Sequence, residues 1–126
     1  MTSNHVHLIV HGATTAAVSE LMGLWEGQVG KQYNRRQGGQ GAFWSDRFHA
    51  TMIDSGEYFW NCLSDVDLNM VRARAVSDPR QWRWCSYAEL LGSGAAKPLV
   101  NYDQVSALIG CGSVAQLRER WQQQIG

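Results

Sequence analysis

The segment from residue 4 to residue 10 reads Asn-His-Val-His-Leu-Ile-Val, and its alternation predicts a β-strand. Successive side chains of a strand point to opposite faces. One face would then carry the two histidines with Ile9, and the other would carry Val6, Leu8 and Val10. We therefore expect a half-buried strand at this end of the chain, and the rest of the predicted fold is arranged around it.

A helix, a second strand and further helices are predicted after this segment. Thr14 or Thr15 can cap a helix whose apolar residues recur at helical spacing as far as Tyr33. Residues 47–53 are predicted to be a strand, and Asp54 with Glu57 is predicted to form a capping box for the next helix. Three more helices are expected, a short one near residues 86–89 and two at residues 103–109 and 113–125. Because a sheet of two strands is marginal alone, either helices cover it or its missing strands come from elsewhere, such as a second copy of the chain.

Composition indicates a globular chain with one modest core. Hydrophobic residues make up 44% of the 126 residues and charged residues 17%, which argues against disorder. Eleven basic residues balance eleven acidic ones, so the net charge neither favours nor excludes a polyanionic partner. No apolar run is long enough to cross a membrane. The three cysteines are far apart, so we expect reduced thiols and a cytoplasmic location rather than a disulfide framework.

The spacing of His5 and His7 permits a metal site. Two imidazoles on one face of a strand can hold one divalent ion, and an oxygen ligand from a neighbouring helix could complete the set. Asp65 and Asn69 lie one helical turn apart and are candidates for that ligand. Nitrogen and oxygen donors together suit Mg²⁺, Mn²⁺ or Zn²⁺. The alternative is that the histidines face solvent and the helix face is simply polar.

Two basic segments are interleaved with aromatic residues. The first contains Lys31, Arg35, Arg36 and Arg47, beside the aromatic residues Phe43, Trp44 and Phe48. The second contains Arg72, Arg74, Arg80 and Arg83, beside the aromatic residues Trp82 and Trp84. Cations bind phosphates and aromatic rings stack on unpaired bases, so the two segments together favour a single-stranded nucleic acid. Each segment alone is more often an ordinary solvated surface.

Taken in order, these motifs resemble those of single-tyrosine HUH transposases, in particular the REP-associated tyrosine transposase group. The resemblance covers roughly residues 3–90 and includes five ordered stretches. They are Ser3-Asn4-His5-Val6-His7-Leu8-Ile9-Val10, Lys31-Gln32-Tyr33-Asn34-Arg35-Arg36, Gly41-Ala42-Phe43-Trp44, Asp46-Arg47-Phe48-His49-Ala50-Thr51 and Asp67-Leu68-Asn69-Met70-Val71-Arg72-Ala73. Ser77-Asp78-Pro79, Trp82 and Ser86-Tyr87 continue the same order.

The resemblance implies an α+β fold, a ferredoxin-like antiparallel sheet with helices packed on it. Such proteins bind single-stranded DNA hairpins, usually as homodimers. A divalent metal, Mg²⁺ or Mn²⁺, would be held by the residues that match His5, His7 and Asn69. The residues implied to contact DNA are Lys31, Arg35, Arg36, Trp44, Arg47, Arg72 and Arg74.

Two departures from the family pattern affect the expected activity. The nucleophilic tyrosine of the family stands four residues before the matching asparagine, where this chain has Asp65. A carboxylate cannot readily replace a phenol, because an acyl phosphate would hydrolyse easily. Tyr58 and Tyr33 are other tyrosines of the chain, for which packing is the expected role. The chain also starts almost at the histidines, so we expect an incomplete sheet that lacks the N-terminal strands.

Three functions remain open at this point. The domain is expected at residues 1–92, truncated at its start, with a linker and a C-terminal helical tail at 93–126. It could bind DNA hairpins after losing the nucleophile, or nick DNA by another nucleophile or a hydrolytic route. It could also be a structural or oligomeric remnant with no role on nucleic acid.

Overall fold

The structure is a computed structural model that describes residues 5–92 and 97–125, and its described residues contain helices and no strand. The helices are α1 (Thr15–Gln37), α2 (Glu57–Asp67), α3 (Asn69–Arg72), α4 (Ser86–Leu90), α5 (Tyr102–Leu108) and α6 (Val114–Ile125), with a 3₁₀ turn at Pro79–Gln81 between α3 and α4. Ser3, Asn4 and part of the expected 93–126 linker lie outside the described residues.

The expected ferredoxin-like α+β sheet is wrong for the described part of the chain. Residues 5–10 and 47–53 are both irregular, although polar and apolar residue types alternate along their sequences as they do in strands. A strand needs a partner for its backbone N–H and C=O groups, and a lone pair of strands is marginal in water. Periodicity predicts which face a strand would bury, but it does not supply the neighbouring strand.

The α1 unit, which covers residues 9–52, is one of two compact units and is built around a single long helix. The Thr14 hydroxyl accepts a hydrogen bond from the Ala17 N–H at 3.0 Å, which confirms the predicted cap. The helix ends where Gly38 adopts a left-handed conformation with φ of 65° and its N–H bonds to the Asn34 carbonyl. This is the ordinary glycine termination of a helix. Within α1 the only buried residue is Gly30.

The core unit comprises residues 5–8 with the described part of residues 53–126, and it holds the hydrophobic core. Helix α6 packs on α2 and on α5, while α4 packs on the 3₁₀ turn. The buried apolar side chains come from α2, α4, α6 and the end of α5: Phe59, Trp60, Leu63, Tyr87, Ala88, Leu90, Ile109, Leu117, Trp121 and Ile125. The C-terminal helix is therefore a part of this core.

The capping box predicted for one helix is absent, and another is found at the 3₁₀ turn. Helix α2 begins after Gly56, which has φ of 79° and provides no side-chain cap, so the capping box predicted for Asp54 and Glu57 is wrong. A capping box forms instead at the 3₁₀ turn, between Asp78 and Gln81. The box requires Asp54 at the N-cap position, but Gly56 occupies that position and Glu57 is the first residue of the helix.

Candidate functional site

The histidine pair remains together without a strand. The rings of His5 and His7 lie with their centroids 4.9 Å apart and their planes at 88°, and both residues are exposed. Partial burial and the neighbouring His5 lower the pKa of His7. A lowered pKa keeps this imidazole neutral near pH 7, and the neutral ring is the form that can bind a metal.

The carboxylate of Asp65 is engaged by an arginine of the predicted DNA surface. Asp65 lies on α2, and its Oδ1 accepts a hydrogen bond from Nη1 of Arg72 at 2.6 Å. Both side chains are more than half exposed, so solvent screens this pair and it contributes little stability. Asn69 begins α3 and is half-buried. The sequence therefore identified Asp65 and Arg72 as separate site residues, but the structure joins them to each other.

Three of the four cations of the first basic segment lie on the C-terminal half of α1. Lys31, Arg35 and Arg36 are all exposed, and the two arginines occupy the last turn of the helix, where a positive charge complements the helix dipole. Tyr33 lies among them and stacks at a tilt on Phe43, with ring centroids 4.6 Å apart. These two rings are 49% and 38% exposed, which leaves aromatic surface available beside the cations.

The segment after α1 folds back onto the helix through its aromatic residues. The indole Nε1 of Trp44 donates to the Glu26 carbonyl at 2.9 Å, and its ring lies 5.6 Å from the ring of Trp25. The Asn34 amide donates to the Gly41 carbonyl at 2.9 Å. Trp44 is thus half-buried and held by α1, so the structure gives this predicted DNA contact a packing role. Arg47 is exposed, and its backbone N–H donates to Asp46 Oδ1 at 2.7 Å.

Most guanidinium groups of the second basic segment contact neighbouring carboxylates or an aromatic ring. The Arg80 guanidinium binds the Asp78 carboxylate, and this contact lowers the pKa of Asp78 to about 2. The Arg83 guanidinium lies 4.1 Å above the ring of Trp84, a cation–π contact. Arg74 follows α3 with a left-handed φ of 58°. Sequence spacing groups these cations, but local pairing reduces the charge that some of them offer to a ligand.

The polar centre of the core unit is a buried carboxylate that the sequence analysis did not single out. Asp67 Oδ1 accepts from the Ser86 hydroxyl at 2.5 Å and from the Tyr87 N–H at 3.1 Å. Its Oδ2 accepts from the indole Nε1 of Trp121 at 2.8 Å. Burial raises the pKa of Asp67, although these hydrogen bonds act in the opposite direction. The signal was in the sequence, because Trp60, Leu63 and Asp67 follow the spacing of a buried helix face.

A second carboxylate connects α4 with the C-terminal helices. Glu89 accepts from the backbone N–H groups of Leu99 and Val100 at 2.9 and 3.0 Å. It also accepts from the Tyr102 hydroxyl at 3.0 Å. Burial, together with this bond to Glu89, raises the pKa of Tyr102 to about 12. These contacts are structural, because every oxygen of the carboxylate is directed at a group of the chain itself.

Comparison with known protein families, with curated proteins and with solved structures found no match for this chain. Among the described residues, no group of three or more histidine, cysteine, aspartate or glutamate side chains could hold a metal ion. That result does not cover a site in which an asparagine is the third ligand. No helix in the described part of the chain is long and apolar enough to span a membrane.

Proposed function

We propose that this chain is a transposase-derived protein that binds single-stranded DNA hairpins and whose nicking and strand-transfer activity is impaired. One observation carries the proposal: Lys31, Arg35 and Arg36 are exposed on α1 beside the partly exposed ring pair of Tyr33 and Phe43. Cations beside stacking platforms suit a single strand, whose bases are free to stack. The ordered motifs described above extend the proposal to a transposase ancestry.

The position of Asp65 supports the impairment. In the resemblance this residue stands where the family has its nucleophilic tyrosine, and here its carboxylate is held by the Arg72 guanidinium at 2.6 Å. A carboxylate also repels the phosphate that a nucleophile must approach. A non-catalytic DNA-binding remnant is therefore the second form of the proposal, and the same ion pair favours it.

The proposal includes a metal, a dimer and a location. His5, His7 and Asn69 are the residues that would hold a divalent ion, Mg²⁺ or Mn²⁺, because their nitrogen and oxygen donors suit such ions. The ion would supply Lewis-acid polarisation of a phosphate when bound. The partners proposed are single-stranded DNA hairpins and a second copy of the chain, in the cytoplasm.

Binding would be measured by fluorescence anisotropy with a labelled single-stranded hairpin, across a salt series. Replacing Arg35 and Arg36 by glutamine should weaken retention and reduce the salt slope by about 1.4, because each phosphate contact on a single strand contributes roughly 0.7. Phe43→Ala should weaken binding with little change of slope, since stacking is not ionic. Arg118→Gln removes an exposed charge from α6 and is the matched control. Retention that is unaffected by the double arginine variant would refute the proposed surface.

Catalysis would be tested separately with a denaturing gel that detects protein–DNA adducts in Mn²⁺. We expect no adduct with the chain as it stands, because Asp65 is not a competent nucleophile. An Asp65→Tyr variant should restore an adduct if the remaining site is intact. An adduct formed by the unchanged chain would contradict the impairment, and hairpin binding without an adduct from either version would favour the non-catalytic remnant.

A further inference from the structure

One face of α1 is uncovered over about three turns. Glu20, Leu24, Gly27 and Lys31 follow the spacing i, i+4, i+7 and i+11, which places them on one side of the helix. All four are exposed, and Leu24 is 63% exposed. A Cβ added at Gly27 would meet no atom within 4 Å. The face therefore presents one protruding leucine and, one turn away, an open position at a glycine.

The charges at the two ends of this face are opposite. Glu20 and Lys31 lie eleven residues apart, about 16.5 Å along the helix axis. Among the described residues, neither takes part in an ion pair. Leu24 lies four residues inside the acidic end, and Gly27 lies four residues inside the basic end. The pattern is therefore complementary to itself when a second helix runs in the opposite direction.

A groove beside this face can receive a side chain. Its volume is about 380 Å³, and its lining includes Gly23, Gly27, Gly30, Phe43 and Trp44. Gly23 and Gly27 leave the backbone of α1 accessible along one side of the groove, whereas Gly30 is buried against Phe43. The aromatic residues come from the segment that folds back on the helix. An apolar side chain entering next to Gly27 would contact both, which is the arrangement that favours close helix packing.

We propose that this face of α1 is a self-association surface for a second copy of the chain. In the antiparallel pair, Leu24 of each copy packs over Gly27 of the other, and Glu20 of each copy pairs with Lys31 of the other. The contact is isologous, because the same residues serve both copies. A single pair of helices buries little surface, so the dimer is weak and depends on concentration. The inference rests on the proposed function for the expectation of a dimer, and it shares Lys31 with the proposed DNA surface.

The test is sedimentation over a concentration series, without DNA, of the full chain and charge-exchanged variants. Glu20→Lys places two pairs of like charges in contact, and so does Lys31→Glu. Each should weaken dimerisation by at least about tenfold. The double variant restores opposite charges and should recover the affinity to within roughly threefold. Gln32→Lys adds a positive charge at an exposed residue of α1 that does not line the groove, and it is the control.

Several outcomes overturn the proposal. The chain could be monomeric at every concentration, the single variants could leave the dimer unchanged, or the double variant could fail to restore it. Leu24→Gln supplies an independent variant, because it removes the protruding apolar group from an exposed position that the fold does not need. Far-ultraviolet circular dichroism would check that each variant keeps its helix. Hairpin binding by the Leu24→Gln variant, measured at a dilution where the chain is monomeric, separates this inference from the proposed function. This variant leaves Lys31, Arg35 and Arg36 in place, so a loss of binding there concerns the DNA surface alone.

Discussion

The hydrogen bond between Asp67 and Trp121 connects α2 to α6 inside the core unit, and its removal is the most informative test of the fold. The indole Nε1 lies 2.8 Å from Oδ2, and the two residues are 2% and 1% exposed. Asp67→Asn keeps the shape of the side chain, and its remaining oxygen can still accept from Ser86 or Tyr87. An amide nitrogen at the other position cannot accept the indole N–H.

The expected cost follows from leaving a buried donor without a partner. Such a group costs about 1–3 kcal/mol of unfolding free energy, so Asp67→Asn should lose about that amount. Trp121→Phe removes the same donor but also leaves unfilled space, so its cost should be larger. A double-mutant cycle cancels that packing loss. We expect a coupling energy of about 1–2 kcal/mol between the two positions, since both single variants break one bond.

Urea unfolding followed by far-ultraviolet circular dichroism would measure the cycle, because tryptophan fluorescence changes with the mutation itself. Asp103→Asn, at an exposed acidic residue in the first turn of α5, is the matched control. Its effect should stay below about 1 kcal/mol, the usual value of a charge at a helix terminus. A coupling energy under about 0.5 kcal/mol would refute the reasoning, because contacts of that size are indistinguishable from additive behaviour.

Three further predictions concern pH, packing and helix propensity. Burial raises the pKa of Asp67. The difference in unfolding free energy between the unchanged chain and Asp67→Asn should therefore be largest near pH 4 and should shrink as pH rises through the raised pKa. A urea series at pH 4 and pH 8 that showed the opposite trend would contradict this. Leu117→Ala, at a fully buried residue of α6, should cost about 2–5 kcal/mol in the same assay, whereas Leu99→Ala, at a residue 86% exposed, should cost almost nothing. Gly23→Ala should raise thermal stability by up to about 1 kcal/mol, because an added Cβ meets no atom within 4 Å there. Gly30→Ala should gain less, because its Cβ would lie 3.3 Å from the Cβ of Phe43. Equal gains in melting experiments would count against this close contact.

Helices were predicted more successfully than strands, for a physical reason. The predicted cap at Thr14 and the helix that it begins are confirmed. Helical hydrogen bonds join residues four apart, so local sequence contains most of what a helix needs. Residues 47–53 have the alternation of a strand but are irregular, because a strand needs a partner that local sequence does not supply.

The candidate site was likewise predicted from the sequence only in part. The sequence analysis grouped Arg35 and Arg36 in one basic segment, and the structure places both in the last turn of α1. Spacing did not show that Asp65 would be bound by Arg72, since that pair forms where the chain passes from α2 to α3. The assignment of His5 as a metal ligand stays a prediction.

The sequence by itself determined helix α1 and its cap at Thr14, because these depend on neighbours a few residues away. Only the tertiary structure decided that Asp67 would accept a hydrogen bond from Trp121, 54 residues later in the chain. That choice depends on which surfaces exclude water together, and exclusion of water is a property of the packed molecule. The same is true of the C-terminal helix, whose Leu117 has no exposed surface because α2 and α5 cover α6.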